Sequence, residues 1–342
     1  MLKNKIDIIE LIVLLLSVLI LSNYLSLFIA YNSYLIKFHV ASFLLILFFF
    51  IFYKKFYFLH IKIIFIILTI LLLGNATEAW DSWAVWTFKA KRIYFDQSIF
   101  GALKDNYAIF QHNDYPLLAP SFAASFGVFF GSWNEIFPKV AFLFIAFPPL
   151  ILSIKIFINS KLNLIFFCLS LYLINVFFIN GFIDGLVSIY FIFSAYLLFN
   201  IFIELEGNNL KILNLFCFLT MLSLLKNEGI LIILILFFSV LLINFLEKKL
   251  FSNIKLKIIM FLSLIPVLFW KYLTIKNQII PFHFQNKVRN NLTESIYNSE
   301  TFFTKFQSID TYRIIFDYFI TSYSLIISLI FFYLQFTLLK II

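Results

Sequence analysis

"IIELIVLLLSVLILSNYLSLFIAY", residues 8–31, decides the class of this chain. A hydrocarbon core about 30 Å thick takes roughly 20 apolar residues to cross as a helix rising about 1.5 Å per residue, and this run is long enough. Its continuous hydrophobicity excludes the alternating pattern of a membrane β-barrel strand. The preceding "MLKNKID" gives the run a basic start, so a cleaved secretory signal is the first alternative. No small-x-small cleavage site follows the apolar core, and the stretch reads as a retained first span.

Outward from that run the same pattern recurs. Of 342 residues, 63% are hydrophobic and 13% charged, 50 are Phe, and the mean hydropathy is +1.01, far from the balance of a soluble domain. The expectation is an all-α, polytopic transmembrane bundle of about 10–12 spans. The spans fall at 7–31, 34–53, 56–74, 118–132, 137–158, 162–180, 183–204, 210–225, 229–247 and 256–275. A last stretch, 311–341, reads as one tilted helix or two short ones. Together they make a single integral membrane domain over 1–342, interrupted at length only by loops 75–117 and 276–310. No internal repeat is visible. Cys168 and Cys217 lie within predicted spans, which points to neither a disulfide framework nor a metal site.

The net charge of +9 fits cytoplasmic lysines and contacts to anionic lipid, with nucleic acid a poor second reading. Lys3, Lys5, Lys54, Lys55, Lys248, Lys249, Lys255 and Lys257 mark the cytoplasmic side, which puts both long loops on the extracytoplasmic face. A full crossing by 118–132 would carry the later lysines outside. At about fifteen residues the segment is short for a span, and a re-entrant or shallow helix removes the conflict.

The first loop opens with "GNATEAWDSWAVWTFKAKR", residues 74–92. Asn75 and Glu78 have the spacing of a polar N-cap and an acidic third residue, which predicts a helix starting there. Its acids come early and its bases late, as the helix dipole favours. Trp80, Trp83 and Trp86 recur every three residues, on a broad face suited to the headgroup boundary. On its own this describes an interfacial amphipathic helix. Downstream, "FQHNDYPLLAPSF", residues 110–122, sets His112, Asp114 and Tyr115 before Pro116. Such a turn needs no function. Yet one loop now offers Glu78, Asp81, Lys89, Lys91, Arg92, His112 and Asp114. A carboxylate can take the proton of an attacking hydroxyl while Lys or Arg neutralises a departing phosphate, so the set suits a reaction on a lipid-linked phosphate.

Two more polar intrusions matter. Lys226, Asn227 and Glu228 interrupt a long apolar run in "LLKNEGILIILI", residues 224–235. A lysine at the bilayer centre costs about 2.5–3.5 kcal/mol, so Lys226 belongs at an interface, beside an acid or facing a cavity. A tight turn helped by Gly229 and a contact to a carrier phosphate are both open, and compatible. Asp184, in "NGFIDG" at 180–185, is a turn residue first and a site candidate second. The late loop either covers the site, selects the acceptor or merely connects, and its Asn291–Thr293 triplet is a glycosylation sequon by pattern alone. No Gly-rich phosphate loop, His-Glu-x-x-His helix, Cys-x-x-Cys pair or Gly-x-Ser-x-Gly elbow occurs, so nucleotide hydrolysis, zinc proteolysis and serine-hydrolase chemistry have no support.

"WDSWAVWTFKAKRIY" (80–94), "HNDYPLLAP" (112–120), "NGFIDGLVSIYF" (180–191) and "LLKNEGILIILI" together resemble the bacterial GT-C superfamily of membrane glycosyltransferases. The likeness is strongest to the group sharing the Rhizobium lipopolysaccharide glycosyltransferase-like domain. It is more distant to protein O-mannosyltransferases and to the aminoarabinose transferases of lipid A, and it covers roughly residues 75–230. The resemblance implies a GT-C-like bundle with interfacial helices in the first large extracytoplasmic loop. It implies a polyprenyl-phosphate-linked sugar donor, a cell-envelope acceptor (glycolipid, polysaccharide or protein), surrounding membrane lipids and no nucleic acid. It makes Asp81 the counterpart of the family's essential acid, and matches Asp114–Pro116 to the stretch leading into the next helix. No metal or other cofactor is required, though a divalent ion held by Asp81 with Asp114 or Asp184 is compatible. One departure is that the loop follows the third span here rather than the first, so two additional N-terminal helices are supposed.

The reading that results is an enzyme of the bacterial inner membrane working on the extracytoplasmic face, with Asp81 as catalytic base. Glu78, Lys89, Arg92, His112, Asp114, Tyr115, Asp184, Lys226 and Glu228 are its substrate-binding candidates, with Lys89, Arg92 or Lys226 stabilising the leaving phosphate. The alternatives are a transporter or lipid-linked saccharide flippase, which predicts midplane charges on broken helices and repeat symmetry, and a polymerase or ligase of surface polysaccharide.

Overall fold

A computed structural model describes residues 7–29, 31–52, 81–100, 112–157, 183–203, 209–246 and 254–277, with isolated positions at 66, 69, 70, 74, 181 and 279. The chain divides into two compact units, Met1–Phe282 and His283–Ile342, and every described residue belongs to the first. Expected spans 56–74, 162–180 and 311–341, the helix start at Asn75 with Glu78 and Trp80, and Cys168 lie outside the described residues, isolated positions apart. So does nearly all of loop 276–310.

The described residues form helices and no strand. They are α1 (Ile8–Ile29), α2 (Ser33–Phe52), a π-helix (Asp81–Thr87) running into α3 (Phe88–Asp96), α4 (Leu118–Phe130) and α5 (Phe137–Phe157). Then follow α6 (Asp184–Ile203), α7 (Asn209–Leu225), α8 (Glu228–Leu246), α9 (Ile254–Leu262) and α10 (Ile265–Lys276). Among the described residues, four segments are long and apolar enough to cross a membrane: Ile8–Phe28, Ser33–Phe50, Asp184–Ile201 and Ile254–Lys276. Leu118–Phe130, Phe137–Ser153, Asn209–Leu225 and Glu228–Leu241 are shorter apolar helices.

Local chemistry sets the boundaries. Asp7 Oδ1 accepts from the Ile9 amide at 2.9 Å, Asn32 Oδ1 from Tyr34 at 3.0 Å, and Asn134 Oδ1 from Ile136 at 2.9 Å. Each side chain satisfies an amide that a helix start leaves without an intrahelical partner. The expected span 256–275 agrees with the membrane-length segment Ile254–Lys276, within which the helix is interrupted at Ser263–Leu264. Pro266 stands in the first turn of α10 and has no N–H to continue the ladder, so the helix stops and restarts.

α5 keeps its helix through Pro148 and Pro149. Pro149 cannot donate to the Ile145 carbonyl four residues back, and that carbonyl instead accepts the Tyr190 hydroxyl of α6 at 2.7 Å. The repair joins two helices, and Tyr190 is fully buried, edge-on to Phe218 of α7.

The core gathers around α4, which packs against α1, α2, α3 and α5, with further contacts to α7. Leu118 through Val128 are all buried, as an all-round apolar helix in a bundle must be. Its small residues let neighbours close in. A Cβ on Gly127 would lie 2.7 Å from the Tyr94 ring, so this glycine is what lets α3 lie against α4. Ser125 Oγ donates to Asn23 Oδ1 of α1 at 2.8 Å. α4 has 13 residues, about 20 Å of helix, well under a bilayer core.

Helix ends sort to two sides. At one, the starts of α1 and α7 meet, where Asn214 Nδ2 donates to the Glu10 carbonyl at 3.0 Å. At the other, the end of α1 brings Phe28 to Trp270 of α10, with ring centroids 5.9 Å apart. That second side also carries the segment before α4, the start of α6, the α7–α8 turn and the end of α10.

Candidate functional site

Four chain segments converge there on Asp114. His112 has a left-handed backbone (φ 48°), a conformation that His tolerates better than most residues, and its carbonyl accepts the Tyr115 amide at 3.0 Å. The resulting turn directs Asn113 and Asp114 into the protein, where both are buried. Asn227, from the α7–α8 turn, donates Nδ2 to Asp114 Oδ2 at 2.7 Å. From α10, Trp270 Nε1 donates to the Asp114 carbonyl at 3.0 Å, and Lys271 Nζ stands 3.4 Å from that carbonyl and 3.9 Å from Oδ2.

Lys89 of α3 closes the group from the loop helix. It is 1% exposed, donates Nζ to the His112 carbonyl at 2.6 Å and lies 5.7 Å over the Trp86 ring. Burial pushes its amine down to about 7, against the pull of the Asp114 charge. Lys89 therefore buttresses the turn, and its positive charge is not permanent near physiological pH.

The turn between α7 and α8 supplies the second half. Lys226 Nζ is 2.8 Å from Asp184 Oδ1 and 3.6 Å from Glu228 Oε1. It also sits 5.8 Å over the Tyr115 ring. Tyr115 stacks on Trp86 (5.7 Å, 19°) and His112 (4.6 Å, 22°), and its hydroxyl donates to Glu228 Oε1 at 3.4 Å. Burial first, then the Glu228 and Asp114 charges, raises the Tyr115 hydroxyl far above its ordinary range, so it stays protonated. The α7–α8 turn is as tight as the chain permits. A Cβ on Gly229 would fall 2.0 Å from the Leu222 carbonyl oxygen, a backbone atom that cannot step aside.

Of the residues expected from sequence, Lys89, His112, Asp114, Tyr115, Asp184, Lys226 and Glu228 come together here. Arg92 instead bridges Asp96 at 3.1 Å, one turn along its own helix, and Lys91 pairs with Glu135 at 2.8 Å. Glu78 lies outside the described residues, and of Asp81 only the backbone, which opens the π-helix, is described. The common tryptophan face is corrected: Trp83 is 52% exposed and Trp86 3%. The i→i+5 winding of the π-helix turns residues three apart away from each other, and such π segments recur at functional sites.

Asn227, Trp270 and Lys271 were not read as site residues from the sequence. Lys271 carried the same signal as Lys226, a charge inside an apolar run. Trp270 carried none, because a tryptophan near a helix end is ordinary in a membrane protein. Among the described residues no group of three or more His, Cys, Asp or Glu is arranged to hold a metal ion. Compared with known proteins, the chain matches no protein family, no curated sequence and no solved structure.

Proposed function

We propose that this chain is an integral membrane glycosyltransferase that moves a sugar from a polyprenyl-phosphate donor to a hydroxyl of a cell-envelope acceptor. The observation that carries the reading is the docking of the Asp81-bearing loop helix, through Lys89, Trp86 and Tyr94, beside a cluster of acids and lysines at one end of an apolar bundle. Charge gathered at one end, with apolar helices beneath it, suits a substrate whose tail lies in lipid and whose phosphate emerges at the headgroups.

In the proposed reaction the acceptor hydroxyl attacks the anomeric carbon as the bond from that carbon to the phosphate oxygen breaks. The phosphate leaves with the electron pair, the acceptor proton passes to the Asp81 carboxylate, and configuration inverts. Lys226 and Lys271 are the cations available to the leaving phosphate. Lys89, engaged by the His112 carbonyl, is assigned to holding the His112–Tyr115 turn. The resemblance of residues 80–94 and 112–120 to GT-C enzymes supports the chemistry, and a divalent ion is not required.

The face proposed is extracytoplasmic, at the bacterial inner membrane. What supports it is that Lys54 and Lys55 follow the end of α2 while Lys248 and Lys249 lie between α8 and α9, ends on the side opposite the cluster. The shortness of α4 favours a re-entrant or shallow segment there, which keeps the count of crossings consistent with those lysines.

The test is Asp81→Asn, which keeps shape and removes the base. Sugar transfer from a polyprenyl-phosphate donor is expected to fall about 10²- to 10⁴-fold while insertion and accumulation stay normal. Asp96→Asn, whose carboxylate serves the Arg92 bridge, is expected to keep most activity. Wild-type turnover by Asp81→Asn would return the helix to a membrane-surface aromatic belt.

A further inference from the structure

Glu228 is held unlike the other acids of the cluster. Asp184 accepts a charge-assisted hydrogen bond from Lys226 at 2.8 Å, and Asp114 is buried and accepts from Asn227 at 2.7 Å. The Glu228 contacts are longer. One oxygen, Oε1, faces both Lys226 Nζ at 3.6 Å and the Tyr115 hydroxyl at 3.4 Å. The side chain is half exposed, so water weakens each contact. The backbone beneath is fixed, with the Gly229 amide on the Lys226 carbonyl at 3.0 Å and the Ile230 amide on the Asn227 carbonyl at 3.1 Å. The carboxylate can therefore turn out into solvent by side-chain rotation alone, with the α7–α8 turn unchanged.

What it would leave behind is a place for another anion. Lys226 keeps its aim because Asp184 holds it, and an ammonium can serve more than one acceptor. The Tyr115 hydroxyl stays protonated, hence a donor, and stacking on Trp86 and His112 fixes its ring. An ammonium and a hydroxyl thus converge on one point, now taken by a carboxylate oxygen that solvent can reach. A phosphate oxygen is the same kind of acceptor, and a phosphate group offers several. With Glu228 in place, Lys226 and Lys271 face three carboxylates, Asp114, Asp184 and Glu228, and an arriving phosphate meets surplus negative charge. The Glu228 charge acts on Lys271 as well as on Lys226.

We infer that Lys226 and the Tyr115 hydroxyl form a phosphate seat that Glu228 occupies as a built-in counter-anion, and that the phosphate of a lipid-linked substrate binds by displacing it. Tyr115 is then a donor to the phosphate, and Glu228 competes with the substrate instead of binding it. The inference rests on the glycosyltransferase reading for the lipid that carries the phosphate.

The test uses the full chain in a maltoside detergent, which brings no phosphate of its own. Radiolabelled farnesyl phosphate is the probe, with farnesol and inorganic phosphate as competitors. Glu228→Gln keeps the length and removes the charge, whereas Glu228→Asp keeps the charge and withdraws it from the seat by one methylene. Each is expected to lower the probe Kd about two- to tenfold, a gain that loss of a structural contact would not produce. Tyr115→Phe keeps the stack and is expected to raise the Kd about two- to tenfold. Asp96→Asn is expected to leave it unchanged.

The seat is overturned if farnesol displaces the probe as well as farnesyl phosphate does, if Tyr115→Phe binds as the wild type does, or if both Glu228 variants bind no tighter. A gain in Glu228→Gln with none in Glu228→Asp would reduce Glu228 to distant repulsion and overturn the occupancy. Displacement by inorganic phosphate at the same concentration as farnesyl phosphate would keep the seat and make its ligand a free phosphate. Transfer that depends on Asp81 beside a probe affinity indifferent to Glu228 and Tyr115 would sink the seat and leave the enzyme standing. Tighter binding in both Glu228 variants of a protein without transfer activity would do the reverse.

Discussion

Two apolar helices carry residues that should break them, and they respond in opposite ways. α5 contains Pro148 and Pro149 and remains one helix, because the Tyr190 hydroxyl takes the carbonyl that Pro149 leaves open. The run from α7 into α8 contains no proline and stops at Lys226 and Asn227. A lost backbone hydrogen bond can be replaced by one hydroxyl from a neighbour. Two charges and an amide cannot be hidden so cheaply, and they move to an end of the bundle where Asp114, Asp184 and Tyr115 meet them. The first interruption ties helices together, and the second assembles a site.

The largest effect in this comparison is expected at the α7–α8 turn. Gly229→Ala forces a Cβ onto the Leu222 carbonyl and is expected to destabilise the protein by about 3 kcal/mol or more, read as lost yield and a lower Tm in detergent. An unchanged Tm would mean that the turn opens freely and does not fix Asn227 against Asp114.

A smaller loss, about 1–3 kcal/mol, is expected for Tyr190→Phe, which strands the Ile145 carbonyl. The sharper measurement is the double mutant. Pro149→Ala restores the missing N–H, so Tyr190→Phe made in that background is expected to cost about 0.5–1.5 kcal/mol less than it does alone. Strict additivity would remove the repair from the account of α5.

The smallest effect on stability is expected for Lys226→Met. Its acid partners are about half exposed, at 48% and 53%, and solvent screening limits such pairs to less than about 1 kcal/mol. Donor use in the transfer assay is nevertheless expected to fall. A large drop in Tm with donor use intact would make Lys226 a structural residue like Tyr190.

Helix positions were legible because hydrophobicity is local. Expected spans 34–53, 137–158, 183–204, 210–225 and 229–247 agree with α2, α5, α6, α7 and α8 to within a residue at either end, and 7–31 contains α1. The break in 256–275 escaped because Pro266 early in a helix and Pro inside one look alike until the preceding backbone is seen. The site was half legible. Asp114, Tyr115, Lys226 and Asp184 stand out as polar residues beside apolar runs. Asn227 reads as part of a turn and Trp270 as an interfacial anchor, and only their contacts to Asp114 distinguish them.

By itself, the sequence determined that this chain folds as apolar helices and where its charges interrupt them, since both depend on the cost of moving nearby side chains and backbone out of water. It did not determine which interruptions meet. Asn227 and Trp270 stand 113 and 156 positions from Asp114, the residue they share, and no local pattern encodes such a meeting. Tertiary packing decided it, through a glycine that lets α7 and α8 touch, another that seats the loop helix on α4, and a buried lysine that holds the His112 turn in place.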